Sequence, residues 1–349
     1  MKKQSFVNEL SKGEKVEDIF FVKYIAEASG KDGRKYLNAV LSDKSGDLEA
    51  RKWSGAEEVV KNVTRGDAVS VSGKINVYQN RVQMILDKIE KIELTEELRP
   101  QLIAASSQNS AEMMDQLSEI IESLDDIYIK ELLMSVINDR VINERMMRWT
   151  AGRSIHHAYE GGLLEHVLSC SQLAVSMSEH YKVNKNFVVA GAILHDLCKI
   201  YELTSLPVVD YTNEGQLIGH LAKGLELVDR FSSKIADFPR ETKMHLKHII
   251  LSHHGQLEYG SPKLPLTAEA NLVHLIDLMD SKMASILEIK RKDNTPGDWS
   301  GFVRHLDRMI YKKDLPTFKT KVLKEKKGEK EKKPLNSAIS DQLKGLKID

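Results

Sequence analysis

Between residues 16 and 93 apolar and polar side chains alternate in short runs separated by turn residues. EDIFFVKYIAEA ends at the Asp32-Gly33 turn, and KYLNAVLSD follows with Leu37, Ala39 and Leu41 on one face. Ser45-Gly46 turns the chain into GDLEARKW. DAVSVSGKINVY places Val69, Val71, Ile75 and Val77 on one side, and RVQMILDKIEKI closes the set. Period-two alternation bounded by Gly, Asp and Ser predicts five strands. Between the third and fourth, SGAEEVVKNV predicts a short helix with Ser54 as its cap. From about Leu94 apolar residues recur three and four apart, which predicts amphipathic helices. These are SAEMMDQLSEIIESL, IYIKELLMSVIND, GLLEHVLSCSQLAVSMSEHY, KNFVVAGAILHDLCKI, LIGHLAKGLELVDRFSSKI, RETKMHLKHIILSHHG and AEANLVHLIDLMDSKMASILEIKRK.

Three strands, a short helix and two further strands form the element order of an OB barrel. The chain therefore divides into an all-β OB barrel over 1–95, a helical connector over 96–153 and an all-α bundle over 154–315. A length of 349 residues suits two domains. The lysine-rich stretch 316–349 has few apolar anchors and predicts a solvated, flexible tail.

Net charge is zero, so no global field announces a nucleic-acid partner. Its distribution is uneven: residues 96–150 carry 5 basic against 11 acidic side chains, and 311–349 carry 12 against 6. No apolar run approaches the ~18 residues of a membrane span, and no apolar segment follows the basic N-terminus as in a secretory signal. Cys170 and Cys198 form no CxxC pattern, which fits a reducing cytoplasm and excludes a thiolate zinc ribbon.

Histidine is confined to one half of the chain: all 12 lie between His156 and His305. Five helical segments each offer a metal-capable side chain: His166, His195 with Asp196, His220, His253 with His254, and Asp277. The spacing is about one helix plus one loop each time, so consecutive helices can aim these residues at a common centre. Imidazole with carboxylate suits Mn²⁺, Fe²⁺, Co²⁺ or Zn²⁺. Adjacent His195 and Asp196 point about 100° apart on a helix and both reach one centre only if it lies between them. A carboxylate so placed can bridge two cations, and paired cations activate water and neutralise a phosphate in flight. His180, His245, His248 and His305 read as core or surface residues, and His274 as core packing or support for a ligand.

His166, His195-Asp196 and Asp277 resemble the H…HD…D signature of HD-domain metal-dependent phosphohydrolases, with local matches in GGLLEH, HDLCK and DLMDS. With an OB barrel ahead of it, and SIHHAYEGGLLEHVLS at 154–169, the whole order resembles the YhaM-type 3′→5′ exoribonucleases of the CMP-binding-factor family. The resemblance implies a cytoplasmic hydrolase that degrades single-stranded RNA to nucleoside monophosphates, with single-stranded DNA as a second candidate substrate. It implies two divalent ions, Mn²⁺ foremost with Fe²⁺ or Co²⁺ as substitutes. His166, His195, Asp196 and Asp277 would hold one; Asp196, His220, His253 and His254 the other. Asp280 rivals Asp277, since i and i+3 share a helix face, but the family pattern favours Asp277. Catalytic roles fall to Asp196 and to Lys199, which would face the phosphate.

Two groups stay open. His156, His157 and Tyr159 either touch substrate or form a polar helix entry. In the barrel, Tyr36, Trp53 and Tyr78 either stack bases, with Lys35, Arg51, Lys52 and Arg81 on phosphates, or fill and solvate an ordinary barrel. Two other functions fit the same residues: a nucleotide or cyclic-nucleotide phosphohydrolase of HD type, and a replication-associated single-stranded-DNA-binding protein with an inactive HD site.

Overall fold

The computed structural model describes residues 3–30, 32–78, 81–153, 157–293 and 295–316. The expected tail beyond 316 and His156 lie outside the described residues. The alternating segments form β1 (Lys15–Ser29), β2 (Lys35–Asp43), β3 (Gly46–Lys52), β4 (Ala68–Tyr78) and β5 (Arg81–Ile92). They close into a barrel in the order β1-β2-β3-β5-β4, antiparallel except for the β3–β5 closure. The predicted period is what fills the interior. Leu37, Ala39 and Leu41 of β2 point inward with Phe20, Leu48, Val71, Ile75 and Met84, while Tyr36, Asn38 and Val40 face out.

The short helix α1 (Ala56–Asn62) lies between β3 and β4, but Ser54 does not cap it. Gly55 occupies the cap position with φ +72°, a left-handed conformation that only glycine adopts freely, and no side chain accepts the first amides.

The remaining chain is helical: α2 (Arg99–Leu102), α3 (Ser110–Glu122), α4 (Ile127–Ile137), α5 (Arg140–Met146), α6 (Gly162–Tyr181), α7 (Lys185–Leu194), α8 (Lys199–Glu202), α9 (Asn213–Leu217), α10 (Gly219–Ser232), α11 (Arg240–Ser252) and α12 (Ala268–Lys292). Asn109, Asp126, Asp139, Asn184, Thr212 and Thr267 cap their helices through side-chain oxygens. Two helices expected to be continuous are broken. The run 185–200 stops at Leu194, and residues 195–198 form a turn before α8. The run beginning at Leu217 restarts at Gly219, whose φ of +76° is incompatible with an uninterrupted helix. Both breaks fall beside proposed ligands.

One apolar core joins α3, α4, α6, α7, α10, α11 and α12. Gly191 lets α7 approach closely: a β-carbon there would sit 2.6 Å from Ile249 and 2.7 Å from Val273. A smaller apolar cluster of Ile19, Phe21, Ala68, Leu98, Leu102 and Ile103 welds the barrel to the connector. Arg65 of the barrel pairs with Asp210 of the helical domain at 2.7 Å.

Candidate metal centre

α6 supplies His166, the turn after α7 supplies His195 and Asp196, and α12 supplies Asp277. His166 Nε2 lies 3.2 Å from His195 Nε2, 3.6 Å from Asp196 Oδ2 and 3.5 Å from Asp277 Oδ1. His195 Nε2 lies 3.6 Å from Asp196 Oδ2 and 3.8 Å from Asp277 Oδ1. The second group comes from α10 and the turn after α11. His220 Nε2 is 3.4 Å and His253 Nε2 3.6 Å from Asp196 Oδ1, and His254 offers a donor atom within 4.8 Å of both imidazoles. Asp196 thus presents one oxygen to each group. His195 keeps helical backbone angles, φ −54° and ψ −47°, so it and Asp196 leave the chain in different directions and the carboxylate comes to lie between the two groups.

The opposite edges of these rings fix their tautomers. Nδ1 of His195 bonds the Ala192 carbonyl at 2.9 Å, Nδ1 of His253 the Ile250 carbonyl at 2.8 Å, and Nδ1 of His254 the Tyr259 carbonyl at 2.9 Å. Nδ1 of His220 bonds Glu202 Oε2 at 2.9 Å and Nδ1 of His166 bonds Asp280 Oδ2 at 2.8 Å. Carbonyls and carboxylates only accept, so each Nδ1 carries the proton and each Nε2 turns a bare lone pair inward. With the five rings neutral, the described residues of the centre bring together five imidazole lone pairs and two carboxylates, with the Lys199 ammonium 2.6 Å from Asp196. Asp196 Oδ1, His220 Nε2 and His253 Nε2 are buried without a hydrogen-bond partner. Such a set of acceptors fits divalent cations, with outer oxygens holding each ring as metal-binding histidines require.

Burial lowers His166, but Cys170, Asp277 and Asp280 outweigh it and hold the ring well above the usual imidazole range, so a cation at its Nε2 would have to displace a proton. Burial pushes the Asp196 carboxyl up, but Lys199, His195, His253 and His220 outweigh it and hold it well below the usual carboxylate range. Burial likewise opposes charge on Lys199, and Asp196 at 2.6 Å more than restores it. Burial, with the neighbouring His253 and His220, drives His254 down to about 4, so it is neutral and able to ligate. Cys170 lies 3.7 Å from His166 Nδ1. Burial pushes its thiol up to about 11, so it stands beside His166 as a neutral thiol.

Of the two rival aspartates, Asp277 faces His166 Nε2 and His195 Nε2, whereas Asp280 lies behind His166 on its Nδ1 side. His157 is buried at 6% exposure, bonded to Asp280 Oδ2 at 3.2 Å and to the Tyr159 hydroxyl at 2.9 Å. His274 Nδ1 bonds the His253 carbonyl at 2.8 Å, bracing the ligand turn. Glu202 and the orienting carbonyls have no counterpart in the sequence reading. A carbonyl leaves no mark in a sequence, and Glu202 is one acidic side chain among many.

On the barrel, Tyr36, Arg51 and Trp53 gather on the outer face of β2 and β3. The rings of Tyr36 and Trp53 are 5.4 Å apart, and the Arg51 guanidinium lies 5.6 Å from Tyr36. Trp53 is 57% exposed, and Tyr78, at the end of β4, 55%. The cations are less free than expected. Lys35 pairs with Glu27 at 2.9 Å and Glu57 at 2.7 Å, Arg81 lies 3.3 Å from Glu49, and Lys52 bonds the Asp87 carbonyl.

Fold and site together define a phosphohydrolase of HD type carrying an N-terminal OB barrel. An HD-domain model matches residues 163–282, and an OB-fold nucleic acid binding domain model matches 19–92. The 3′-5′ exoribonuclease YhaM of Listeria monocytogenes serovar 1/2a is 32% identical over 309 residues, covering 88% of this chain and 96% of that protein. Its namesake from Listeria innocua serovar 6a is 33% identical with the same coverage. The chain belongs to the YhaM family of 3′-5′ exoribonucleases.

Proposed function

We propose that this protein is a metal-dependent 3′→5′ exoribonuclease that hydrolyses single-stranded RNA to nucleoside monophosphates. The observation that carries the proposal is Asp196, whose two oxygens face two separate imidazole groups. His166, His195, Asp196 and Asp277 would hold one divalent cation, and Asp196, His220, His253 and His254 a second, Mn²⁺ being the best match to nitrogen and oxygen donors. When bound, the pair supplies an activated water and charge neutralisation at the phosphorus.

The chain's own residues do the rest. Glu202, Asp280 and the carbonyls of Ala192, Ile250 and Tyr259 hold the five imidazoles in one tautomer. Lys199 rests on Asp196 at 2.6 Å and would offset charge growing on a phosphate held beside the cations. On the barrel, Tyr36, Trp53 and Tyr78 offer faces for bases, and Arg51 beside Tyr36 supplies a cation. Lys35 and Arg81 would contact phosphate by exchanging carboxylate partners. Among the described residues no helix is long and apolar enough to cross a membrane, and two buried, unpaired cysteines fit a reducing cytoplasm.

A 5′-labelled RNA oligonucleotide incubated with the purified chain and Mn²⁺ tests this. A ladder shortening from the 3′ end, silenced by chelator and restored by Mn²⁺, is expected. Turnover of free nucleotides with intact oligonucleotide would point to a nucleotide phosphohydrolase, and the same RNA as DNA reads out sugar preference.

A further inference from the structure

We infer that His157, acting through Asp280, is a positioning residue for the cation held by His166, His195, Asp196 and Asp277; this rests on the metal reading above. Asp280 Oδ2 is shared between His166 Nδ1 at 2.8 Å and His157 Nε2 at 3.2 Å, while Oδ1 accepts from the Ser169 hydroxyl. The proton demand of Asp280 on His166 Nδ1 decides that Nε2 is the lone-pair nitrogen. His157 decides where Asp280 sits.

The backbone is built around this contact. His157 has φ +50°, a left-handed conformation uncommon outside glycine. Its carbonyl accepts from Ala151 N at 3.2 Å. Gly162, at the start of α6, packs directly on that carbonyl: a β-carbon there would stand 2.1 Å from His157 O. The Tyr159 hydroxyl, 2.9 Å from His157 Nδ1, closes the other side. The ring lies 5.6 Å from that of His166. A buried imidazole held in a strained backbone, aimed at the oxygen that orients a ligand, has a positioning role rather than a filling one.

The test compares His157→Asn with His157→Gln in the full chain. Asparagine tolerates the left-handed backbone but its amide stops short of Asp280, whereas the glutamine amide reaches the Nε2 position. Each variant is titrated with Co²⁺, followed by its visible spectrum, with thermal unfolding measured alongside. His157→Asn should weaken one Co²⁺ site by roughly 10- to 100-fold and alter its spectrum, leave the other unchanged, and lower kcat with KM for an oligonucleotide kept within about twofold. His157→Gln should recover most of the affinity. Asp280→Asn, which keeps the fold's shape while removing the charge, should lose affinity at the same site. The inference is overturned if His157→Asn binds both ions with parental affinity and spectrum, or weakens both equally with no rescue by glutamine. Because metal binding is read directly, failure of the parent to cleave RNA would count against the proposed substrate and not against this role.

Discussion

Asp196 is the residue on which both halves of the centre lean, and Asp196→Asn keeps its size while removing its charge. Hydrolysis should fall by at least about 10³-fold, since metal spacing and charge neutralisation are lost together. The melting temperature should stay near the parent's, which circular dichroism checks. Glu202→Gln is a milder probe: it weakens the acceptor behind His220 and should cost about 10- to 100-fold in affinity for the second cation, read by metal titration. The clustering of the proposed ligands was legible in the sequence because their type and spacing are unusual together. Five segments offering His or Asp, one helix and loop apart, mark His166, His195, Asp196, His220, His253, His254 and Asp277. What orients them was not legible, because carbonyls at Ala192, Ile250 and Tyr259 exist at every position of every sequence. Asp280 was visible only as a competitor for Asp277; the three-residue offset puts it on the other side of the same imidazole.

Helices and strands followed the hydrophobic period closely: α6, α12, β2 and β5 begin and end where the pattern does. The period failed at the breaks after Leu194 and at Ile218. Apolar residues continue across both, so nothing in the hydrophobic pattern marks the turns beside His195, Asp196 and His220. Close packing of these elements is open to a direct check. Gly191→Ala forces a β-carbon against Ile249 and Val273 and should destabilise the chain by about 1–3 kcal/mol. A lower denaturant midpoint with unchanged slope is the expected signature.

The whole molecule sets a barrel with an exposed aromatic face beside a helical domain that holds the histidine–aspartate cluster. A small apolar cluster and the Arg65–Asp210 pair join them. If capture and cleavage are divided between them, weakening the face should affect long strands alone. Tyr36→Ala and Trp53→Ala should each raise KM for a long RNA by roughly 5- to 150-fold, the equivalent of about 1–3 kcal/mol per stacked base. Cleavage of a dinucleotide should be unchanged. Which side chains of the barrel face bind was not legible, since exposed aromatics and paired lysines look alike in sequence whether or not a strand lies on them.

The claim that two cations share Asp196 is tested most directly by elemental analysis of Mn²⁺-loaded parent and His220→Ala protein. Two ions per chain in the parent and about one in the variant, with most RNA hydrolysis lost, is the predicted result. Equal metal content and equal cleavage in the two proteins would contradict it and leave a single-cation centre at His166, His195, Asp196 and Asp277.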